Sequence, residues 1–395
     1  MRRAPALSFL LVTVFIDMLG LGLIVPIVPA LLTDITGQAA DGARWSGLIG
    51  SSYGLLQFLA SPLLGRLSDR YGRRPVLLAS LTCLGIDYLA HAMSPTVWLL
   101  VLFHAVAGAC AGTNTVVNAY VADVTEPDRR ARAFGLIGAA FGLGFVAGPT
   151  LGGLLGAVDL RLPFYAAAGL AFANVAYGWL ILPESRPGDR RTPLSLRVAN
   201  PAGALAAVLR RPVLARLAWA RLCADVARMT GQVTWTFFVT AQFAWGTAQI
   251  GATMAAGALA GAAFQARLTG PLVRRLGDKR AAVLGGAVGV VALTGTAAAA
   301  APWVIYVVQA IGVLGSVGAA AAQSWLSRAT GPDEQGTVQG AVTGIGALAE
   351  TVVPAVAGVA FAWSLTCDLP GLVFLGAAAF AAASVLLLAA TPATG

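Results

Sequence analysis

Read as hydrophobic and polar positions, the chain is a series of long apolar runs divided by short polar breaks. Twelve runs reach the roughly 20 residues that cross a hydrocarbon core of about 30 Å. They cover 6–32, 45–65, 75–94, 96–122, 132–157, 163–182, 213–240, 247–270, 281–300, 303–327, 336–362 and 370–391. Each predicts a transmembrane helix, because lipid offers no partner to backbone N–H and C=O groups and the ten-residue alternation of a spanning strand is absent. Arg2 and Arg3 before the first run imitate a signal peptide, but the run continues to Leu32 without a convincing cleavage site and reads as the first span.

Composition strengthens this pattern. The chain is 58% hydrophobic and 11% charged, far from the quarter of charged residues usual in soluble domains. The expected class is therefore an all-α polytopic membrane protein. A net charge of +9 suggests nucleic acid at first sight, but the basic residues lie in loops between apolar runs, the distribution of membrane topology. Arg2 and Arg3, the arginines from Arg66 to Arg74, Arg129 to Arg132, Arg186 to Arg216, Arg274 to Arg280 and Arg328 fall on one side, while the opposite loops hold Arg44 and Arg161. Both termini are thus expected in the cytoplasm. The polar stretch 183–212 reads as a cytoplasmic linker between a six-helix half at 1–182 and another at 213–395. Cys83, Cys110, Cys223 and Cys367 show neither a disulfide framework nor metal-ligand spacing.

The densest polar break reads Gly65-Arg-Leu-Ser-Asp69-Arg70-Tyr-Gly72-Arg73-Arg74. It is expected to be a short loop: glycine permits a tight turn, Asp69 meets helix amides or an arginine, and the basic residues face water. A plain topogenic arginine cluster is the alternative. The break has a counterpart at an offset of 205 residues. Gly65, Leu67, Arg70 and Gly72 match Gly270, Leu272, Arg275 and Gly277, Trp98 matches Trp303, Pro127-Asp128 matches Pro332-Asp333, and Pro149 and Gly153 match Pro354 and Gly358. Such a duplication places a substrate site near mid-membrane, between halves that rock around it. Arg274 stands where the first copy has Asp69, so the first copy is expected to matter more.

The six-plus-six plan and the Gly65–Arg74 break resemble the major facilitator superfamily. Gly144-x-x-x-Gly148-Pro149-x-x-Gly152-Gly153 in the fifth run is similar to its antiporter motif; close packing of small residues is the other reading. Asp17-Met-Leu-Gly-Leu-Gly-Leu-Ile-Val-Pro26, Asp87-Tyr88, Phe141-Gly-Leu-Gly and Gln335-Gly-x-x-Gln339-Gly340 resemble the tetracycline efflux pumps and related drug:proton antiporters. The resemblance implies a gating role for Gly65, Asp69, Arg70, Gly72, Arg73 and Arg74, with the charges latching the two halves on the cytoplasmic side.

Buried ionisable residues would carry the mechanism, since a charge at mid-bilayer costs at least about 2.5 kcal/mol. At a rise of about 1.5 Å per residue, Asp17 and Asp87 lie near the middle of their spans, and Asp225 and Glu350 are the other intramembrane acids. Arg221, Asp225 and Arg228 share one helical face. Arg221 reaches towards the cytoplasm, and Arg228 either pairs with Asp225 or touches substrate, with Gln232 one turn along. The sequence departs from the pumps at two places. His104 occupies the span-four arginine position ahead of Gly108, either as a titrating group or as a packing residue, and 281–300 lacks the span-nine aspartate.

The expected activity is proton-coupled efflux of small amphipathic drugs, tetracycline:proton antiport above all, across the bacterial cytoplasmic membrane by a monomer. The alternative is another drug or metabolite, exported or imported. Asp17, Asp87, His104, Asp225 and Glu350 are the expected proton-coupling set. Gln57, Asn114, Arg228, Gln232 and Gln323 are the expected substrate contacts. No cofactor, metal, nucleic-acid partner or enzymatic nucleophile is expected, and no phosphate-binding loop is present.

Overall fold

In the computed structural model the described residues are 4–185, 208–330 and 335–392, and they are helical with no strand among them. The predicted linker at 183–212 lies largely outside them. Two compact units emerge, one comprising Met1–Val198 with Trp245–Ala256 and the other Ala199–Ala244 with Gly257–Gly395.

The first unit holds α1 (Ala4–Ile24), α2 (Val28–Thr36), α3 (Ala39–Tyr71), α4 (Arg73–Met93), α5 (Val97–Ala109), α6 (Thr113–Val124), α7 (Pro127–Val158) and α8 (Leu162–Ile181). The first predicted span is broken between α1 and α2 around Pro26, where proline removes a backbone donor and crowds the preceding turn. The fourth is broken at Cys110–Gly112. Helix α1 packs on α7 and α8, and α4 on α8 and α5. Phe9, Leu10, Leu77, Leu81, Val117 and Tyr120 belong to one buried cluster here. Thr13 and Asn174 satisfy one another inside it: Thr13 Oγ1 donates to Asn174 Oδ1 at 3.2 Å, and Asn174 Nδ2 to the Thr13 carbonyl at 3.3 Å.

The second unit repeats this plan. It contains α9 (Pro212–Phe243), the later part of α10 (Thr247–Phe264), a π turn (Gln265–Thr269), α11 (Gly270–Leu276), α12 (Asp278–Ala297), α13 (Pro302–Gly315), α14 (Val317–Arg328), α15 (Gln335–Thr366) and α16 (Leu372–Ala390). The breaks recur at the sequence offset. Gly72 at φ 107°, ψ 157° corresponds to Gly277 at φ 76°, ψ 159°, and the break after Ala109 corresponds to that after Gly315.

Among the described residues, nine helices are long and apolar enough to cross a bilayer. The remaining three predicted spans are helical but interrupted or charged: the fourth is broken at Cys110, the seventh carries Arg216, Arg221, Asp225 and Arg228, and the eighth passes into the π turn at Gln265.

The Gly65–Arg74 break is not the loop that its polarity predicts. Helix α3 runs through Asp69 to Tyr71, α4 begins at Arg73, and Gly72 alone separates them. Its positive φ disfavours any side chain, and a Cβ there would collide with the Glu184 carboxylate.

Candidate functional site

The α3–α4 corner is held by ion pairs. The expectation that all its basic residues face water fails at Arg73, which is 6% exposed. Its guanidinium reaches Asp69 Oδ1 at 2.7 Å and Asp123 Oδ2 at 3.1 Å, and donates to Ser68 Oγ at 2.6 Å. Glu184 completes the corner by accepting from the backbone N–H of Arg73 at 2.8 Å and of Arg74 at 3.2 Å. A carboxylate at a helix N-terminus satisfies free amides and opposes the positive end of the helix dipole. Arg70 lies over the Tyr71 ring at 5.3 Å, and Arg74 over Trp179 at 5.6 Å. Gly65 sits inside α3, where a Cβ would only touch Thr115.

In the second unit the charges are inverted. Asp278 occupies the position of Arg73 and Arg328 that of Asp123, and Arg328 Nε lies 3.2 Å from Asp278 Oδ2. The side chains of Arg73 and Asp278 are both 8% exposed. With Arg274 in place of Asp69, acid–base–acid in one repeat becomes base–acid–base in the other. The second copy therefore does not lack the ion pair; it carries it with opposite sign.

The structure brings Asp87 and His104 together and adds His91, which sequence reasoning missed. Asp87 is 1% exposed. His104 Nδ1 is 2.8 Å from Asp87 Oδ2, and His91 Nδ1 is 3.1 Å from Oδ1. His91 Nδ1 also lies 2.9 Å from the Asp87 carbonyl oxygen, so the one nitrogen faces both the backbone and the side chain of Asp87. Asp87 Oδ1 is left without a hydrogen-bond donor, as is the buried Oδ1 of Asp17 on α1. The donor atoms of Asp87, His91 and His104 lie within 4.8 Å of one another, close enough to consider a metal. No metal is needed to account for the cluster, because each histidine has a polar partner on Asp87. The three groups suit protons better. The spacing of His91, four residues after Asp87, was the available signal.

The glycines of the fifth run serve close packing. A Cβ on Gly144 would stand 2.5 Å from the Phe15 carbonyl oxygen, one on Gly148 2.5 Å from the Gly22 Cα, and one on Gly152 would collide with the Leu23 carbonyl. Gly144, Gly148 and Gly152 thus form one face of α7 pressed on α1. Gly153 faces α10 instead: Thr247 Oγ1 donates to its carbonyl at 3.1 Å. Pro149 meets Gly251.

The second polar constellation lies inside the second unit. Asp225 is 4% exposed and faces two cations, Arg221 Nε at 2.7 Å and Arg228 at 3.5 Å. Arg221 is therefore tied to Asp225, and it also donates to Gln323 at 3.4 Å. Arg228 donates to Gln232 at 3.2 Å and lies 4.0 Å from Glu350. Arg221, Asp225, Arg228, Gln323, Gly346 and Glu350 line a cavity of about 400 Å³. Two guanidinium and two carboxylate groups give it no net charge but several donors and acceptors. Gln57 is half-buried on α3, remote in sequence from this set, and the side chain of Asn114 falls outside the described residues.

Repeated helical units with buried acids and a polar cavity define a membrane transporter. The chain belongs to the major facilitator superfamily, whose model matches residues 10–354. It is 37% identical over 354 residues to the class C tetracycline resistance protein of Escherichia coli, covering 90% of this chain and 89% of that one. It is 35% identical over 359 residues to the class G tetracycline resistance protein of Vibrio anguillarum, with coverages of 90% and 89%. The solved nucleoside transporter NupG shares the fold at a TM-score of 0.80 and 14% identity over 98% of both chains. The human organic anion transporter MFSD10 (TETRAN) does so at 0.70 and 23%, covering 98% of this chain and 100% of that one. The protein is accordingly a multi-pass membrane transporter and not an enzyme.

Proposed function

We propose that the protein exports tetracycline-type drugs in exchange for protons across a bacterial cytoplasmic membrane. In this reading the chain crosses the membrane twelve times as two six-helix halves, at 1–182 and 213–395, with both termini inside. The distribution of arginine supports that topology. Similarity to tetracycline resistance proteins over nine-tenths of the chain carries the substrate assignment. Asp17 and the Asp87–His91–His104 set supply proton exchange: the buried Asp17 Oδ1 without a hydrogen-bond donor is a place a proton can satisfy, and Asp87 with His104 forms a buried ionisable pair. Arg228, Gln323 and the paired Asp225 supply polar contacts for an amphipathic molecule in a cavity of suitable size, and Gln232 holds Arg228 from one turn along.

The test is tetracycline accumulation in an efflux-deficient bacterial host. Expression of the protein should lower accumulation, and Asp17→Asn or Asp87→Asn should restore it at matched membrane protein levels. Wild-type export by both variants would remove the coupling assignment.

A further inference from the structure

We propose that His104 carries the exchanged proton in the first unit, with Asp87 as its fixed counter-charge and His91 as the residue that positions Asp87. This rests on the proton-coupled reading above and assigns the atom at which the proton is held.

The geometry distinguishes the three groups. Asp87 is the innermost, with its side chain 1% exposed; those of His91 and His104 are 10% and 26% exposed. His91 is locked: its Nδ1 lies against both the carbonyl oxygen and Oδ1 of Asp87, at 2.9 and 3.1 Å, and its ring is stacked on Phe164 at 5.6 Å. His104 is the member open to an arriving proton. Its Nδ1 and Asp87 Oδ2, 2.8 Å apart, share one hydrogen whether the ring is neutral or charged. A further proton therefore goes to Nε2, converting a neutral imidazole into an imidazolium beside a carboxylate. Its departure restores the neutral ring, so each cycle moves one charge without making or breaking a bond other than N–H.

The surrounding groups neither replace nor cancel this pair. Tyr53 of α3 places its ring 4.7 Å from that of His104. Tyr88 of α4 has Asp17 of α1, Tyr53 and Asp87 as electrostatic neighbours. Arg161, just before α8, is occupied by the carbonyls of Ala92 and Ser94 beyond the end of His91's turn. Arg73 and Asp123 pair with each other at the start of α4. An arginine at residue 104 would stay protonated throughout a cycle; an imidazole is the side chain whose ordinary titration falls near neutral pH.

The chain has two histidines, so ¹⁵N-imidazole spectra of the full-length protein, purified with a histidine-free tag, contain two rings. His91→Phe removes one and keeps an aromatic ring against Phe164. Between about pH 5 and about pH 9, a range spanning ordinary imidazole titration, His104 should pass from doubly protonated to neutral. Saturating tetracycline should move its midpoint by about one unit or more. Asp87→Asn should move the midpoint to lower pH, and His91→Phe should shift it as well, a response that a packing role leaves unmoved. A His104 ring in one protonation state over the whole range, with and without drug, overturns the assignment. In proteoliposomes, His104→Arg should lose about tenfold or more of proton-driven tetracycline uptake; unchanged proton-driven uptake also overturns it. Wild-type tetracycline uptake with no accompanying proton movement would instead remove the proton-coupled reading itself.

Discussion

Replacing Arg73 by alanine isolates the charge triad at the α3–α4 corner. The change removes the guanidinium that joins Asp69 at 2.7 Å and Asp123 at 3.1 Å and leaves both acids without that partner. Truncating one partner of a buried ion pair costs about 3–5 kcal/mol. Here the Asp69 and Asp123 side chains keep 35% and 29% exposure, and water takes up part of that loss, so about 2 kcal/mol is expected. For a unit of this size, 1 kcal/mol corresponds to about 2–4 °C in Tm, hence a fall of about 4–8 °C. The second unit indicates how to restore the loss without restoring Arg73. The triple variant Asp69→Arg, Arg73→Asp, Asp123→Arg reproduces the inverted set Arg274, Asp278 and Arg328, and should recover most of the Tm. The assay is thermal unfolding of detergent-purified protein, with folded yield as a control. A Tm within about 1 °C of wild type for Arg73→Ala would refute the energetic reasoning. A triple variant no more stable than the single one would refute the charge-inversion reading.

Three further outcomes follow from the same geometry. Glu184→Ala deprives two N-terminal amides of α4 of their acceptor and should cost about 1–2 kcal/mol, read as a lower Tm. Gly152→Ala forces a methyl into the Leu23 carbonyl and should reduce folded protein in fluorescence-detected gel filtration, whereas Gly142→Ala, which meets nothing within 4 Å, should match wild type; equal yields would contradict the packing role of α7. Asp225→Asn leaves Arg221 and Arg228 without their buried counter-charge and should weaken tetracycline binding about tenfold or more, as losses of buried charge partners do. Glu350→Gln, at a side chain 48% exposed and 4.0 Å from Arg228, should change binding by less than about threefold. Tryptophan-fluorescence titration checks both, and the reverse order would contradict the cavity assignment.

Much of the architecture is legible in the order of residues because apolar length and repeat offset are local or one-dimensional properties. Asp17 and Asp87 stand out as acids in apolar runs, and His104 as one of only two histidines in the chain. What stays hidden depends on contacts distant along the chain. Glu184 reaches Arg73 across 111 positions and Arg73 reaches Asp123 across 50, with no periodicity to announce either. His91 has no signal except its i+4 relation to Asp87, which matters only once His104 closes on the other side of the carboxylate. The break at Cys110 has no proline to mark it, so the fourth run reads as continuous. Polarity misleads at Gly65–Tyr71: a stretch rich in charge remains helical, with Asp69 paired to Arg73, which in turn reaches Asp123.

The most direct test is to reconstitute the purified protein in liposomes with an internal pH indicator and add tetracycline on one side. Proton-coupled export predicts drug movement accompanied by proton movement in the opposite direction, abolished by Asp17→Asn and Asp87→Asn. Tetracycline transport at full rate with no pH change, or no tetracycline transport under an imposed proton gradient, would contradict it.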